Sequence, residues 1–167
     1  MTNGASALSP DLPSLISELE QQEQRLQFPG FDNDDAWSLG ARLVELGHQR
    51  ALPITIDIRR GGQQLFHAAL PGTTPENDSW IERKVRVVDR FNASSFLVGR
   101  RLALKGEQLG REHGVNPVDF ATHGGAFPIR VTGVGVVGVV TVSGLAQQDD
   151  HCLVVEAIEL FLAHPAD

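Results

Sequence analysis

The chain is short of cysteine, of positive charge and of long apolar runs, and each shortage removes a class of function. A single cysteine, Cys152, stands among 167 residues. It lies inside an apolar helical pattern and cannot by itself build an intrachain disulfide, a CxxC redox pair or a cysteine-based zinc site. Lys and Arg number 14 against 21 Asp and Glu, a formal net charge of -7. General binding to nucleic acid or an anionic membrane draws on counterion release by many basic groups, so neither partner is expected. Nowhere do about 18 continuous apolar residues form a spanning segment, and MTNGASALSP lacks the basic and apolar regions of a secretory leader. The expected location is the cytosol. No H-x-x-x-H or H-E-x-x-H spacing occurs, so no dedicated metal centre is expected. Phosphate-cradling and dinucleotide-binding loops at a strand-to-helix turn are absent as well. What remains is a chain with 41% hydrophobic residues, enough for one proper core. No Pro/Ser-rich linker divides it, and the expected organisation is one domain over residues 9–167 behind a loose tail at 1–8.

Local patterns give the elements. Leu12, Leu15, Ile16, Leu19 and Leu26 recur at helical spacing after Ser9 or Asp11 as N-cap. A second helix carries Trp37, Leu39, Leu43, Val44 and Leu46, with Asp34 or Asp35 as its cap. Pro53 to Arg60 alternates in period two, Gly61-Gly62 supplies a turn, and Gln64 to Leu70 returns. Ser79 with Glu82 has capping-box spacing and predicts the head of a third helix, whose buried face is Trp80, Val87, Val88 and Phe91. A fourth helix is predicted from Ser94 or Ser95 to Gly110. A second hairpin runs from Phe127 through a Gly133 to Gly135 turn to Ser143, and Gly138 within it predicts close approach by another backbone or a helix. Asp149 or Asp150 is the expected cap of a last helix. That helix is apolar nearly all round apart from Glu156 and Glu159, so it is expected to pack on the sheet and also on another helix or subunit. Two hairpins separated by helices predict an α+β sandwich with a single antiparallel sheet.

Several residues are candidates for chemistry. His123 precedes Gly124 and Gly125, an arrangement that presents an imidazole in a cleft beside open backbone N–H groups; the alternative is a loop histidine bonded to its own turn. Ser143 ends a strand, a usual place for ligand contact, without the context of a nucleophile elbow. Between Arg83 and Lys105 stand seven bases against Asp89 alone. Arg83, Arg86 and Arg90 share one helical stripe a turn beyond Trp80, so guanidinium groups beside an aromatic wall offer a seat for a carboxylate or phosphate. The stripe has a second reading, a solvated face paired to acids on a neighbouring helix or subunit. Asp150 and His151 are adjacent and do not face each other on a helix, which favours capping for the aspartate. His67, among apolar strand residues, reads as a satisfied core or interface residue.

The sequence resembles the haem-degrading, HbpS/GlcG-like domain family, in its cytosolic branch of uncharacterised bacterial and fungal proteins. The matching residues are His123-Gly-Gly-Ala-Phe-Pro-Ile129, Gly135-Val-Val-Gly138, Val142-Ser-Gly-Leu145 with Asp149-Asp-His151, and Asn77-Asp-Ser-Trp80-Ile-Glu-Arg83-Lys84. The resemblance implies a profilin-like three-layer sandwich, a central antiparallel sheet flanked by helices, assembled into dimers or larger rings. It implies haem as one form of a small anionic ligand. Without a CxxCH motif that binding is non-covalent, and His123, His67 and His151 are the axial candidates. The expected ligand pocket gathers Trp80, Arg83, Lys84, His123, Gly124, Gly125 and Ser143. The competing expectation is a non-enzymatic oligomeric scaffold or adaptor, in which the last helix and the basic stripe serve partner contacts.

Overall fold

A computed structural model describes residues 10–164; the expected tail at 1–8 and the cap candidate Ser9 lie outside them. In chain order come α1 (Leu12–Arg25), α2 (Asn33–Gln49), β1 (Thr55–Arg60), β2 (Gln63–Ala69), α3 (Pro75–Phe91), α4 (Ser95–Leu104), β3 (Ala126–Val131), β4 (Gly135–Ser143) and α5 (Gln147–Ala163). The strands form one antiparallel sheet in the order β2-β1-β4-β3. Helices α2 and α5 cover one face, α3 covers the other, and α4 and α1 pack beside them. This is the expected α+β three-layer sandwich.

Alternation along β1 explains the layering. Ile54, Ile56 and Ile58 are fully buried toward α2 and α5 with Phe127, Ile129, Val140 and Val142. Each such side chain contributes roughly 1.5–3 kcal/mol of burial. The residues between them, Thr55, Asp57 and Arg59, lie on the face that α3 covers, where Arg59 pairs with Asp57 at 2.7 Å and with Glu82 of α3. Gly61 and Gly62 take φ of 56° and 82°, the left-handed geometry of a two-residue hairpin turn. Gly138 meets the expected close approach, since a Cβ there would collide with the Arg59 carbonyl of β1.

Four helix boundaries differ from the sequence expectation. Asp32, not Asp34 or Asp35, caps α2; its carboxylate accepts from both of their N–H groups, and Asp35 returns a bond to the Asp32 N–H at 2.8 Å. Helix α3 starts one turn before Ser79, because Thr74 caps it with Asn77 as reciprocal partner and Pro75 fits its first position. Its buried face is Ile81, Lys84, Val85, Val87 and Val88, while Trp80 is half-buried and Phe91 exposed. Helix α4, capped by Ser94, stops at Leu104 and does not reach Gly110. Gly106 at φ 70° donates to Ala103 O and Glu107 to Leu102 O, a Schellman stop. Neither Asp149 nor Asp150 caps α5: Ala146 occupies the N-cap without a side-chain bond. Helix α5 packs on α2 and the sheet, its glutamates paired with Arg50 and Arg25. Its apolar surface is therefore mostly buried within the chain. No helix of the described residues is long and apolar enough to cross a membrane.

Candidate functional site

The N-terminal half of α3 runs beside the end of β4, and the fold closes a cleft of about 330 Å³ between them and the start of α5. Trp80, Lys84, His123 and Ser143 line it together, with Asn77, Leu145, Gln147 and Asp150. Asn77 ties the elements together, accepting from the Thr74 N–H at 2.9 Å and donating to Ser143 O at 3.3 Å. Ser143 thus contributes its carbonyl to the frame.

Lys84 and Asp150 form the floor. Lys84 Nζ donates to Asp150 Oδ2 at 3.0 Å and to Val142 O at 3.1 Å, with the two side chains only 3% and 2% exposed. The Asp150 carboxylate also accepts from the N–H groups of Leu145 and Gly144, at 3.0 and 3.4 Å. Burial pulls the Lys84 pKa below its usual value against the attraction of Asp150, and pushes the Asp150 carboxyl up against the pull of Lys84 and the two amides. Both shifts have the sign of desolvation, so for each partner the loss of water outweighs the gain from the pair.

His123 forms the rim. Its ring packs edge-to-face on Trp80 with centroids 4.9 Å apart. Burial first, then the positive charges of Lys84, Arg83 and Arg100, hold its pKa below the usual histidine value, which leaves the imidazole neutral at pH 7. The two glycines after it are required by packing. A Cβ on Gly124 would strike the Gln147 carbonyl at the start of α5. One on Gly125, at φ 132°, would strike the Val142 carbonyl and come within 2.7 Å of Lys84 Nζ. Gly124 N–H also bonds to Gln147 Oε1 at 3.4 Å, and Gly125 O accepts from Val142 N–H.

Arg83 stands beyond the cleft, its guanidinium 4.1 Å from the Trp80 ring centroid. The other stripe arginines are committed to backbone carbonyls, Arg86 to Asp119 O at 3.1 Å and Arg90 to His113 O at 3.0 Å. They clamp the 105–123 segment to α3; acids on a neighbouring helix are not their partners. His67 and His151 are outside the cleft. His67 sits between Asp57 and Asp78 at 3.2 and 3.3 Å. His151 is buried against Phe96 and Phe127 and bonded to Gln22 at 2.8 Å.

The residue that sequence reasoning missed is Asp150. Its signal was Lys84: on α3 the row Ile81, Lys84, Val85, Val88 is one helical face, and a lysine in a buried row demands a carboxylate from elsewhere.

Comparison with known proteins places the chain. Residues 31–159 match the family described as haem degrading protein HbpS-like. A UPF0303 protein of Streptomyces avermitilis is 58% identical over 153 residues, covering 92% of this chain and 94% of that protein. One of Acidobacterium capsulatum is 52% identical, covering 86% and 87%. The crystal structure of the Ybr137w protein has a TM-score of 0.80 at 32% identity, over 89% of this chain and 87% of that one. A PduOC:heme complex shares the fold, with a TM-score of 0.65 at 18% identity over 78% and 94% of the two chains. The chain belongs to the HbpS-like haem-degrading family.

Proposed function

We propose that this protein is a cytosolic, homo-oligomeric binding protein of one domain that holds an acidic group, carboxylate or phosphate, of a small-molecule ligand over the Lys84–Asp150 pair. One observation carries the reading. An ammonium has three donors, and Lys84, buried yet lining the cleft, commits two of them, to Val142 O and Asp150. The third is left for a guest. Asp150 makes the pair net neutral, and its carboxylate oxygens already accept from Lys84, Gly144 and Leu145, so the guest is held by the free ammonium donor and not by net charge. A buried pair that desolvation disfavours, set in an open cleft, fits a functional site better than a stability device. Trp80 offers an apolar wall backed by Arg83, and neutral His123 a second polar contact. Assembly is supported by Trp37, 66% exposed beside the edge strand β2. The scaffold reading loses its two supports, since α5 is mostly buried within the chain and the stripe arginines Arg86 and Arg90 are engaged internally.

Haem is the second reading, favoured by a neutral imidazole, His123, with cations near it. The donors suit an iron and propionates in kind. The first cleft alone, about 330 Å³ and at the low end of the ~300–1,000 Å³ typical of small-molecule sites, does not hold a whole tetrapyrrole, which would have to extend past the Trp80–His123 pair.

The test uses a Trp37→Phe background, in which Trp80 is the remaining indole. Titration with acetate, benzoate and inorganic phosphate is expected to give a saturable fluorescence change, phosphate being among the anions that bind, and to lose it when Lys84→Met and Asp150→Leu are combined. No saturable change with any of them refutes the reading. A saturable Soret spectrum with haemin that disappears in His123→Ala would establish the second reading instead.

A further inference from the structure

The Trp80–His123 stack has a second side. There a groove of about 550 Å³ lies between the C-terminal half of α4 and the 106–123 segment, with Trp80 and His123 again in its lining. The segment approaches so closely because residue 99 is glycine: a Cβ there would strike the Thr122 carbonyl. Leu102, Leu109 and Phe120 give the groove apolar walls, and its charged lining is Arg83, Arg100 and Glu107, the last lying 3.4 Å from His113.

Arg100 is the unpartnered guanidinium of this groove; Arg42 of α2, which does not line it, also has a buried Nε without an acceptor. The Arg100 guanidinium lies 5.3 Å from the Phe96 ring centroid, yet its Nε is buried without a hydrogen-bond partner. Its neighbour Arg101 is paired with Glu20 at 2.7 Å, and Arg59, Arg86 and Arg90 are likewise committed. Nε faces the protein interior, and among the described residues the terminal nitrogens of Arg100, which lines the groove, have no acceptor either; a planar carboxylate or phosphate in the groove is the acceptor their fork suits. Arg83, across the groove, holds its Nε on Ser79 O at 3.3 Å and meets Glu76 only at 3.8 Å, which leaves it donors to spare.

We infer that Arg100, assisted by Arg83, is a second anion subsite, and that the protein's ligand carries two acidic groups joined by an apolar body. One acid sits over Lys84 and the other at Arg100. His123 is exposed and Trp80 half-buried, so their stack is a rim over which the apolar body lies. The identity of the guest rests on the binding reading above; the subsite rests on the geometry of the groove.

Full-length ¹⁵N-labelled protein is titrated with inorganic phosphate, following the Arg100 Nε–H signal for the groove and the Gly144 and Leu145 amides for the first cleft. The Arg100 signal is expected to move saturably. Arg100→Gln weakens that binding at least about tenfold, and Arg100→Lys, which keeps the charge and loses the fork, falls between. An Arg100 signal that stays still, unchanged affinity in Arg100→Gln, or an equal response to chloride overturns the subsite. The two readings fail separately. Movement at Arg100 with silent Gly144 and Leu145 amides sinks the first cleft and keeps the groove, whereas the reverse sinks the groove alone. In a series of straight-chain dicarboxylates of increasing length, at least one is expected to bind tighter than acetate and to lose that advantage in Arg100→Gln. A series no tighter than acetate overturns the two-acid ligand.

Discussion

Replacing Lys84 with methionine removes the cation from beneath a carboxylate that is 2% exposed. The volume is nearly conserved, so the cost is electrostatic. Asp150 keeps only the Gly144 and Leu145 amides, at 3.4 and 3.0 Å, and a buried carboxylate stripped of its partner costs about 3–5 kcal/mol. For a chain of this size that lowers Tm by roughly 6–20 °C. The deficit depends on pH with a definite sign. Burial already raises the Asp150 pKa, and without Lys84 it rises further. A folded state that holds a proton more tightly than the unfolded chain gains on acidification. The deficit is therefore full at neutral pH and shrinks as pH falls through the raised pKa of Asp150. Adding Asp150→Leu removes the stranded charge, and the double variant returns to within about 1 kcal/mol of the parent or above it. Urea melts of the three proteins at neutral and mildly acid pH decide the matter. A single variant that loses less than about 1 kcal/mol, or a double variant as weak as the single, refutes the argument that desolvation governs this pair.

Two further outcomes follow from the same packing. Gly125→Ala combines a φ of 132° with a collision at the Val142 carbonyl and should cost at least about 2 kcal/mol, read as a loss of denaturation midpoint, whereas alanine at the open turn glycine Gly133 should cost less. His151 is buried neutral with its pKa driven down to about 4, so folding excludes a proton that the unfolded chain accepts near the usual histidine value. Stability is complete above that value and falls by roughly 3 kcal/mol as pH drops toward about 4; urea melts of His151→Leu should show a shallower decline over the same window.

Much of the fold was legible because its signals are local. The alternation of Ile with polar residues in β1, the Gly61-Gly62 turn and the Val-rich β4 each specify strand and turn without reference to the rest of the chain. Boundaries were less legible where several caps compete: Asp32, Asp34 and Asp35 are all suitable, and the first is selected because Asp35, three residues on, can return a bond to its N–H. The face of α3 was misread because Lys84 interrupts its apolar row, and the partner that makes lysine tolerable there lies 66 residues away. The candidate site divides in the same way. Trp80, Lys84, His123 and Ser143 do share a cleft, but Gly124 and Gly125 work through close packing, Arg83 faces the neighbouring groove, and Asp150 looked like a cap because it stands near a helix start. Sequence spacing gives a residue's element; it does not give the partner brought to it across the sheet.

The central claim is that an anion binds over the Lys84–Asp150 pair, and thermal denaturation with increasing phosphate tests it most directly. Arg100→Gln protein, which isolates the first cleft from the groove, is compared with the same protein carrying Lys84→Met and Asp150→Leu. With phosphate at ten times its Kd, the account predicts about 1.4 kcal/mol of stabilisation, roughly 3–6 °C in Tm, for the protein that keeps the pair and none for the protein that lacks it. Equal stabilisation of both, or of neither, would contradict it.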